Sequence, residues 1–323
     1  MMCSLVVLLM ACSNTGEATS KSTGNGTDFP QESIQVIIPF AAGGVTDSLA
    51  RIIIEGAQQY LPNNQKLVTV NVGGAGGSIG MSQLLNAKAD GYTIAFANTD
   101  AISVQPALTE TNYQNDSFEP IIKLASAPFL LATQSDSEWK TFEDILTYAK
   151  ENPNQFKYGS PFVGSSSQVS MEYLKIQDGI ETVHVPYDGG ALMAALLGGN
   201  IDAYTGTPAS LAAYKDTGEV NVLVNFGDAK IAGYEDVPTF KELGYDFGLS
   251  VSFGLVGPKG IESSVTSILH DAFKQAIEDP AIAKKIENLS VAATYGPAEE
   301  LQADFTNVTA LYEDILQTVS LEE

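Results

Sequence analysis

Short apolar runs and longer amphipathic stretches alternate along the chain from Ile34 onward. The apolar runs, bounded by turn residues, predict strands at residues 34–39, 67–72, 92–97, 121–125, 183–185 and 220–225. Apolar residues three and four apart predict helices at residues 47–60, 78–87, 142–151, 166–177, 191–197, 263–277 and 298–318. Thr141 and Asp144 resemble a capping box before one of these helices. This alternation favours an α/β fold of mostly parallel sheets flanked by helices.

Four of the turns between a strand and the helix that follows are rich in glycine and serine. They lie at residues 39–47, 71–80, 158–167 and 185–191. Such turns place backbone N–H groups and positive helix ends at the carboxyl edge of a sheet, where open α/β sheets bind ligands and helices prefer anions. Two turns precede residue 100 and two follow residue 155, so we predict a binding site walled by two lobes.

The numbers of acidic and basic residues limit which groups could bind a ligand at that site. The chain has 16 basic and 39 acidic residues, a net charge of −23, and Arg51 is its only arginine. Nucleic acid is disfavoured as a partner, because phosphate neutralisation needs a basic face. A bidentate arginine clamp for a carboxylate is available at one position at most. Backbone amides and Ser or Thr hydroxyls are the remaining donors for an anion.

The N-terminus reads as a targeting segment. The apolar run at residues 5–11 is much shorter than the ~20 residues that span a bilayer, and it fits the core of an export signal. Residues 9–12 resemble a lipobox, so we predict a lipoprotein signal at 1–12 with lipidated Cys12. Residues 13–32 are polar and rich in Gly, Ser and Thr, which predicts a flexible tether.

An α/β enzyme is the rival interpretation. Residues 76–80 fit G-x-S-x-G, which makes Ser78 a formal candidate nucleophile, but no base can be assigned to it from the sequence. His184 could contact a ligand or serve a structural role, and His270 falls in a helical pattern. Asp47 could stabilise a helix start or line the binding site. The sequence predicts no catalytic residue, no metal site and no cofactor.

At these turns the chain resembles the Bug family, the extracytoplasmic solute receptors of tripartite tricarboxylate transporters. The matching positions are residues 39–44, Asp47, Ala50, Arg51, Asn71, residues 74–77, Gly80, residues 90–93, 158–160, 184–187, Gly189, residues 237–239, Glu242, Gly244, Gly254, Leu255, Pro258 and Gly260. These motifs occur in order from about residue 34 to the C-terminus. The second of them contains Ser78, which weakens the enzyme interpretation.

The resemblance implies a two-lobed periplasmic-binding-protein fold of type II without enzymatic activity. Each lobe would be a mixed, mostly parallel sheet flanked by helices, with the ligand cleft between the lobes. Lobe one would comprise residues 33–127 and 251–323, and lobe two residues 128–250. The protein would be a monomer that passes a small organic acid to the membrane subunits of a tripartite transporter. The expected ligand-binding residues are Phe40, Ala42, Gly43, Gly44, Thr46, Asp47, Gly76, Ser160, Gly164, Ser165, Ser166, Tyr187 and Asp188.

Departures from the family pattern bear on the ligand. Phe162 and Gln168 replace a glycine and a histidine of the third turn, and Asp188 replaces a basic residue. Val72 and Gly73 stand where the family has Arg and Pro. With fewer cationic groups, we expect an acid with one or two carboxylates, or one that bears an amine for Asp188. A ligand-sensing lipoprotein that presents its closed form to a signalling partner is the alternative function.

Overall fold

The computed structural model describes residues 28–161, 163–187, 191–227, 230–245 and 248–318. The predicted signal, Cys12 and the tether up to residue 27 lie outside the described residues, as do Phe162 and Asp188. The described strands are β1 Ile34–Ile38, β2 Leu67–Asn71, β3 Thr93–Asn98, β4 Phe118–Pro128, β5 Leu130–Gln134, β6 Lys157–Ser160, β7 Val183–Pro186, β8 Ala203–Gly206, β9 Val220–Asn225, β10 Ser250–Pro258 and β11 Ala292–Pro297. The described helices are α1 Val45–Gln58, α2 Ser78–Leu85, α3 Gln105–Leu108, α4 Phe142–Glu151, α5 Ser166–Asp178, α6 Ala191–Leu197, α7 Pro208–Asp216, α8 Ser263–Glu278, α9 Pro280–Glu287 and α10 Ala298–Thr318.

The strands form two mixed sheets, which confirms the predicted α/β class. Within the described residues, the first sheet has the order β11-β4-β10-β3-β1-β2 and the second the order β7-β6-β8-β5-β9. The sheets are less parallel than expected. β1 pairs in parallel with β2 and β3, and β6 with β7 and β8, whereas the pairs made by β4, β5 and β10 are antiparallel. The chain passes from the first sheet to the second between β4 and β5 and returns between β9 and β10, and the outgoing strand β4 pairs antiparallel with the returning strand β10.

Local sequence explains where the helices begin. Helix α1 begins after Gly44, carries Asp47 in its first turn, and buries Leu49, Ile53 and the other residues of one stripe. The predicted capping box is confirmed in α4, since the Thr141 side chain accepts from the Asp144 N–H and the Asp144 carboxylate accepts from the Thr141 N–H. Both helices therefore have their first turn fixed by residues visible in the sequence.

One apolar cluster joins elements attached to the two sheets. Val169 of α5 and Leu249 pack with Val104, which ends a π-helical turn at Asp100–Val104, and with the α10 side chains Val308, Tyr312 and Ile315. This cluster holds the N-terminal end of α5 beside the π-helical turn that follows β3. Among the described residues, no helix is both long enough and apolar enough to cross a membrane.

Candidate functional site

The Asp47 side chain fixes the turn between β1 and α1 through hydrogen bonds. This side chain is only 4% exposed and accepts hydrogen bonds from the Gly43 N–H (2.9 Å), Arg51 Nε (2.9 Å) and Asn71 Nδ2 (2.8 Å). Burial opposes ionisation, but the Arg51, Gly43 and Asn71 hydrogen bonds outweigh it and lower the pKa of Asp47 to about 2. Asp47 therefore stays charged at neutral pH and shapes the turn.

Arg51 is engaged within the protein. Besides Asp47, its guanidinium donates to Thr69 Oγ1 at 2.9 Å and to Asn71 Oδ1 at 2.7 Å. Asn71 in turn donates to the Phe40 carbonyl at 3.1 Å. The only arginine thus ties β2 to the β1–α1 turn, and its donors are directed at protein acceptors.

Part of this turn is exposed to solvent. Ala42, Gly43 and Gly44 are exposed, whereas Thr46 and Phe40 are partly buried. The turn after β2 lies alongside it, because a Cβ atom on Gly77 would lie 3.5 Å from Phe40 Cζ. A Cβ atom on Gly76 would lie 2.1 Å from Gln105 Nε2, so only glycine lets the Gln105 amide approach this backbone.

The second sheet contributes a turn built from hydroxyl groups. The Ser165 hydroxyl donates to Ser160 Oγ at 3.0 Å, and Ser160 Oγ lies 2.7 Å from His184 Nε2. Burial, with a smaller effect of Lys175, lowers the pKa of His184 to about 4, so the ring is neutral at neutral pH. Since Ser160 Oγ already accepts from Ser165, this favours Ser160 as the donor to Nε2. The turn is polar and uncharged.

Hydrogen bonds join the serine-rich turn of the second sheet to Asp100 and Tyr312, which belong to elements of the first sheet. Ser166 of α5 donates to Asp100 Oδ1 at 2.5 Å, and the Tyr312 hydroxyl lies 3.2 Å from both Ser166 Oγ and the Gly164 carbonyl. Burial raises the pKa of Asp100 to about 6, although the Ser166 hydrogen bond opposes the shift. A carboxyl group that titrates near neutrality therefore lies at the junction of the two predicted lobes.

The predicted site residues fall into three groups. Phe40, Ala42, Gly43, Gly44, Thr46, Asp47 and Gly76 lie on the first-sheet turns, and Ser160, Gly164, Ser165 and Ser166 on the second-sheet turn. Tyr187 is next to this turn, because its N–H donates to the Ser160 carbonyl at 3.0 Å. Asp188 lies outside the described residues, and its contact with a ligand remains a prediction.

Sequence reasoning missed Asp100, Gln105 and Tyr312. Asp100 directly follows Thr99, just beyond the carboxyl end of β3, and that position was the available signal. Tyr312 is 146 residues from Ser166 in the chain, so its part in the site depends on tertiary packing alone.

The candidate nucleophile has no catalytic partner in the part of the chain that the structure describes. There, no hydrogen bond or ion pair joins Ser78 to a histidine or a carboxylate, and no three His, Cys, Asp or Glu side chains are grouped to hold a metal ion. His270 lies on α8 with its Nδ1 at 3.0 Å from Asp271 Oδ1. Backbone amides at a helix start and serine hydroxyls are chemically suited to holding an anion.

Several known proteins resemble this chain in sequence and in fold. A model described as the tripartite tricarboxylate transporter family receptor matches residues 49–321. A protein from the gbd 5′ region of Cupriavidus necator is 35% identical over 82% of this chain and 80% of its own length. A crystal structure of a TctC solute-binding protein from Polaromonas is 29% identical, with a TM-score of 0.81 over 90% of this chain and 100% of that one. The periplasmic binding protein BugD is 26% identical, with a TM-score of 0.72 over 90% of this chain and 98% of its own.

Proposed function

We propose a specific role for this chain, which belongs to the tripartite tricarboxylate transporter receptor family. The family is one of extracytoplasmic solute-binding receptors and not of enzymes. We propose that the chain is a lipoprotein anchored through Cys12 that captures a small organic carboxylate. It delivers this acid, as a monomer, to the membrane subunits of a tripartite transporter.

The opposed donor sets are the observation that supports carboxylate capture. The exposed residues Ala42 and Gly44 lie in the turn after β1. The buried Ser165 and Ser166 hydroxyls, which donate to Ser160 Oγ and Asp100 Oδ1 in this structure, lie in the turn after β6 and would turn towards a bound carboxylate. The Ser166–Asp100 hydrogen bond ties the turn after β6 to the segment that follows β3 of the first sheet. We propose that residues 33–127 and 251–323 form lobe one, that residues 128–250 form lobe two, and that they close on the ligand by hinge motion.

Both donor sets are neutral, and this bears on the ligand. Arg51 is engaged by Asp47, Thr69 and Asn71, so the described turns offer amides and hydroxyls in place of cations. This supports an acid with one or two carboxylates over a tricarboxylate. Two proteins of the same fold were solved with malate and with adipate, at 23% and 24% identity. Those two acids serve here as probes.

A thermal-shift screen of the purified chain against mono-, di- and tricarboxylates and amino acids tests this proposal. An acid at about 100 times its Kd should add ~2.7 kcal/mol of stability, which is readily seen as a higher Tm. No shift with any acid would contradict carboxylate capture. If Asp188 meets an amine on the ligand, Asp188→Lys should change the order of ligands, and an unchanged order would remove that part of the proposal.

Transport and signalling predict different partners. A transport role requires neighbouring genes for large and small membrane subunits, and loss of uptake of the labelled acid when the gene is deleted. Normal uptake in the deletion strain, together with a lost transcriptional response to the acid, would favour the signalling lipoprotein. Metabolic labelling with a fatty acid, compared between the natural chain and Cys12→Ala, tests the anchor.

A further inference from the structure

An apolar cavity lies beside the hydroxyl turn of the second sheet. It has a volume of about 320 Å³, and its described lining residues are Pro161, Leu192, Met193, Tyr204, Thr207, Ser210 and Tyr214. Pro161 directly follows β6 and Thr207 directly follows β8. These strands are parallel neighbours, so the cavity sits at the same sheet edge as Ser160 and its turn.

Apolar side chains form most of the wall of this cavity. Leu192, Met193 and Tyr204 belong to one buried apolar cluster, which Tyr214 also contacts. The polar atoms of the rim are paired with each other, since the Tyr204 hydroxyl donates to Ser210 Oγ at 2.6 Å and Ser210 donates to the Thr207 carbonyl at 2.6 Å. None of the described lining residues carries a charge. A carboxylate placed here would lose its hydration without gaining a cation.

Size supports the same conclusion. A cavity of about 150 Å³ lined by apolar side chains is enough to bind a benzene ring. The cavity here, of about 320 Å³, therefore accommodates a ring or a branched alkyl group. A ligand whose carboxylate lies at the Ser160–Ser165 turn would find this cavity adjacent, because Ser160 and Pro161 are consecutive.

We propose that this cavity binds the apolar body of the ligand, so that the substrate class is monocarboxylates bearing an aromatic ring or a branched alkyl group. The inference rests on the proposed function, since it requires the carboxylate to be held at the turns of the two sheets. It adds the part of the ligand that those turns do not contact. Short polar diacids would leave the cavity unfilled.

Isothermal titration of the purified chain with phenylacetate and with malate tests the inference. Phenylacetate should bind more than about tenfold tighter, since each buried ring carbon contributes to the transfer free energy. Ser210→Phe fills the cavity from its exposed rim and should weaken phenylacetate binding by at least about tenfold, with malate affected less. Ala213→Phe is the matched control, because Ala213 is exposed on the same helix and does not line the cavity. It should leave both affinities within about twofold.

A second variant keeps the inference testable if Ser210→Phe fails to fold. Met193→Ala widens the cavity and should shift preference from phenylacetate towards the larger naphthylacetate. Tighter binding of malate than of phenylacetate, or equal effects of Ser210→Phe and Ala213→Phe, would overturn the inference and leave carboxylate capture standing. Absence of binding by both acids, and by every acid of the thermal-shift screen, would overturn the proposed function as well.

Discussion

The β1–α1 turn and the Ser160–Ser166 turn are held in place by different interactions. The β1–α1 turn rests on a charged network in which buried Asp47 is bonded to Gly43, Arg51 and Asn71. The Ser160–Ser166 turn rests on neutral hydroxyls and a neutral His184. The first turn is therefore held by groups of its own sheet, whereas the second also bonds to Asp100 and Tyr312 of the other predicted lobe.

Because of this difference, we expect the two turns to make different contributions to ligand binding. The Asp47 network shapes the backbone of the first turn, and under the proposed function the Ala42 and Gly44 N–H groups would receive the carboxylate. The hydroxyls and the His184 ring of the second turn are neutral, and the apolar cavity that would hold the ligand's body adjoins them. A charged group in the second turn would instead favour a second carboxylate or an amine. Each prediction below alters one side of this comparison.

Asp47→Asn should have the largest effect. The change removes the charge that two side chains and one backbone N–H bond, and hydrogen bonds to charged groups contribute about 1.5–3 kcal/mol each. Because the amide keeps some of these contacts, we expect a loss of about 2–3 kcal/mol in the free energy of unfolding, measured with urea. Glu55→Gln, an exposed position on the same helix, should change it by less than about 0.5 kcal/mol. Equal effects would show that the network does not hold the turn.

Gly164→Ala should strain the second turn. Gly164 has a φ of +78°, and a Cβ atom there would lie 2.1 Å from Leu108 Cδ1 of the first-sheet side. Gly179→Ala is the control, since φ is +64° but nothing lies within 4 Å of the added atom. We expect a loss of about 1 kcal/mol in the free energy of unfolding for Gly179→Ala from backbone strain alone, and about 2 kcal/mol for Gly164→Ala. A loss no greater at 164 than at 179 would mean that the contact with Leu108 does not constrain the turn.

Asp100 should make the junction sensitive to pH. Its pKa is raised to about 6 from the ordinary 3.8, so the folded state retains a proton that the unfolded state releases. Stability from this group is complete below pH 3.8 and is lost as the pH rises through about 6. Relative to Asp100→Asn, the natural chain should therefore lose about 2 kcal/mol of unfolding free energy between pH 4 and pH 7. Parallel stability curves for the two proteins would contradict this, and exposed Asp116→Asn serves as the control.

Ser165→Ala should have the smallest effect on stability. Ser165 caps α5 by accepting from the Gln168 N–H over 3.3 Å, a long hydrogen bond, so we expect a loss of about 0.5–1 kcal/mol in unfolding free energy. Thr141→Ala breaks the capping box of α4, away from the site, and should cost about 1 kcal/mol. Only Ser165→Ala should also weaken acid binding. If both variants bind acid as the natural chain does, Ser165 is a cap and not a ligand contact.

How far the sequence predicts this molecule differs between the same two regions. The β1–α1 turn follows from local signals, since Gly44, Asp47 and Arg51 stand at helix-start and ion-pair spacings. The α/β fold with mixed sheets is confirmed, but the antiparallel pairing of β4 with β10 depends on where the chain passes between the sheets, which no local pattern predicts. Asp100 and Tyr312 reach the second turn only through long-range packing, which leaves no periodic pattern along the chain.

A crystal structure of the chain with the acid that most raises its Tm tests the account most directly. We expect the carboxylate within hydrogen-bond distance of the Ala42 or Gly44 N–H and of the Ser165 or Ser166 hydroxyl, with the ligand's apolar body between Leu192, Met193 and Tyr204. A ligand bound away from both turns, or touching the turns of one sheet alone, would contradict the central claim that the two sheets share one carboxylate site.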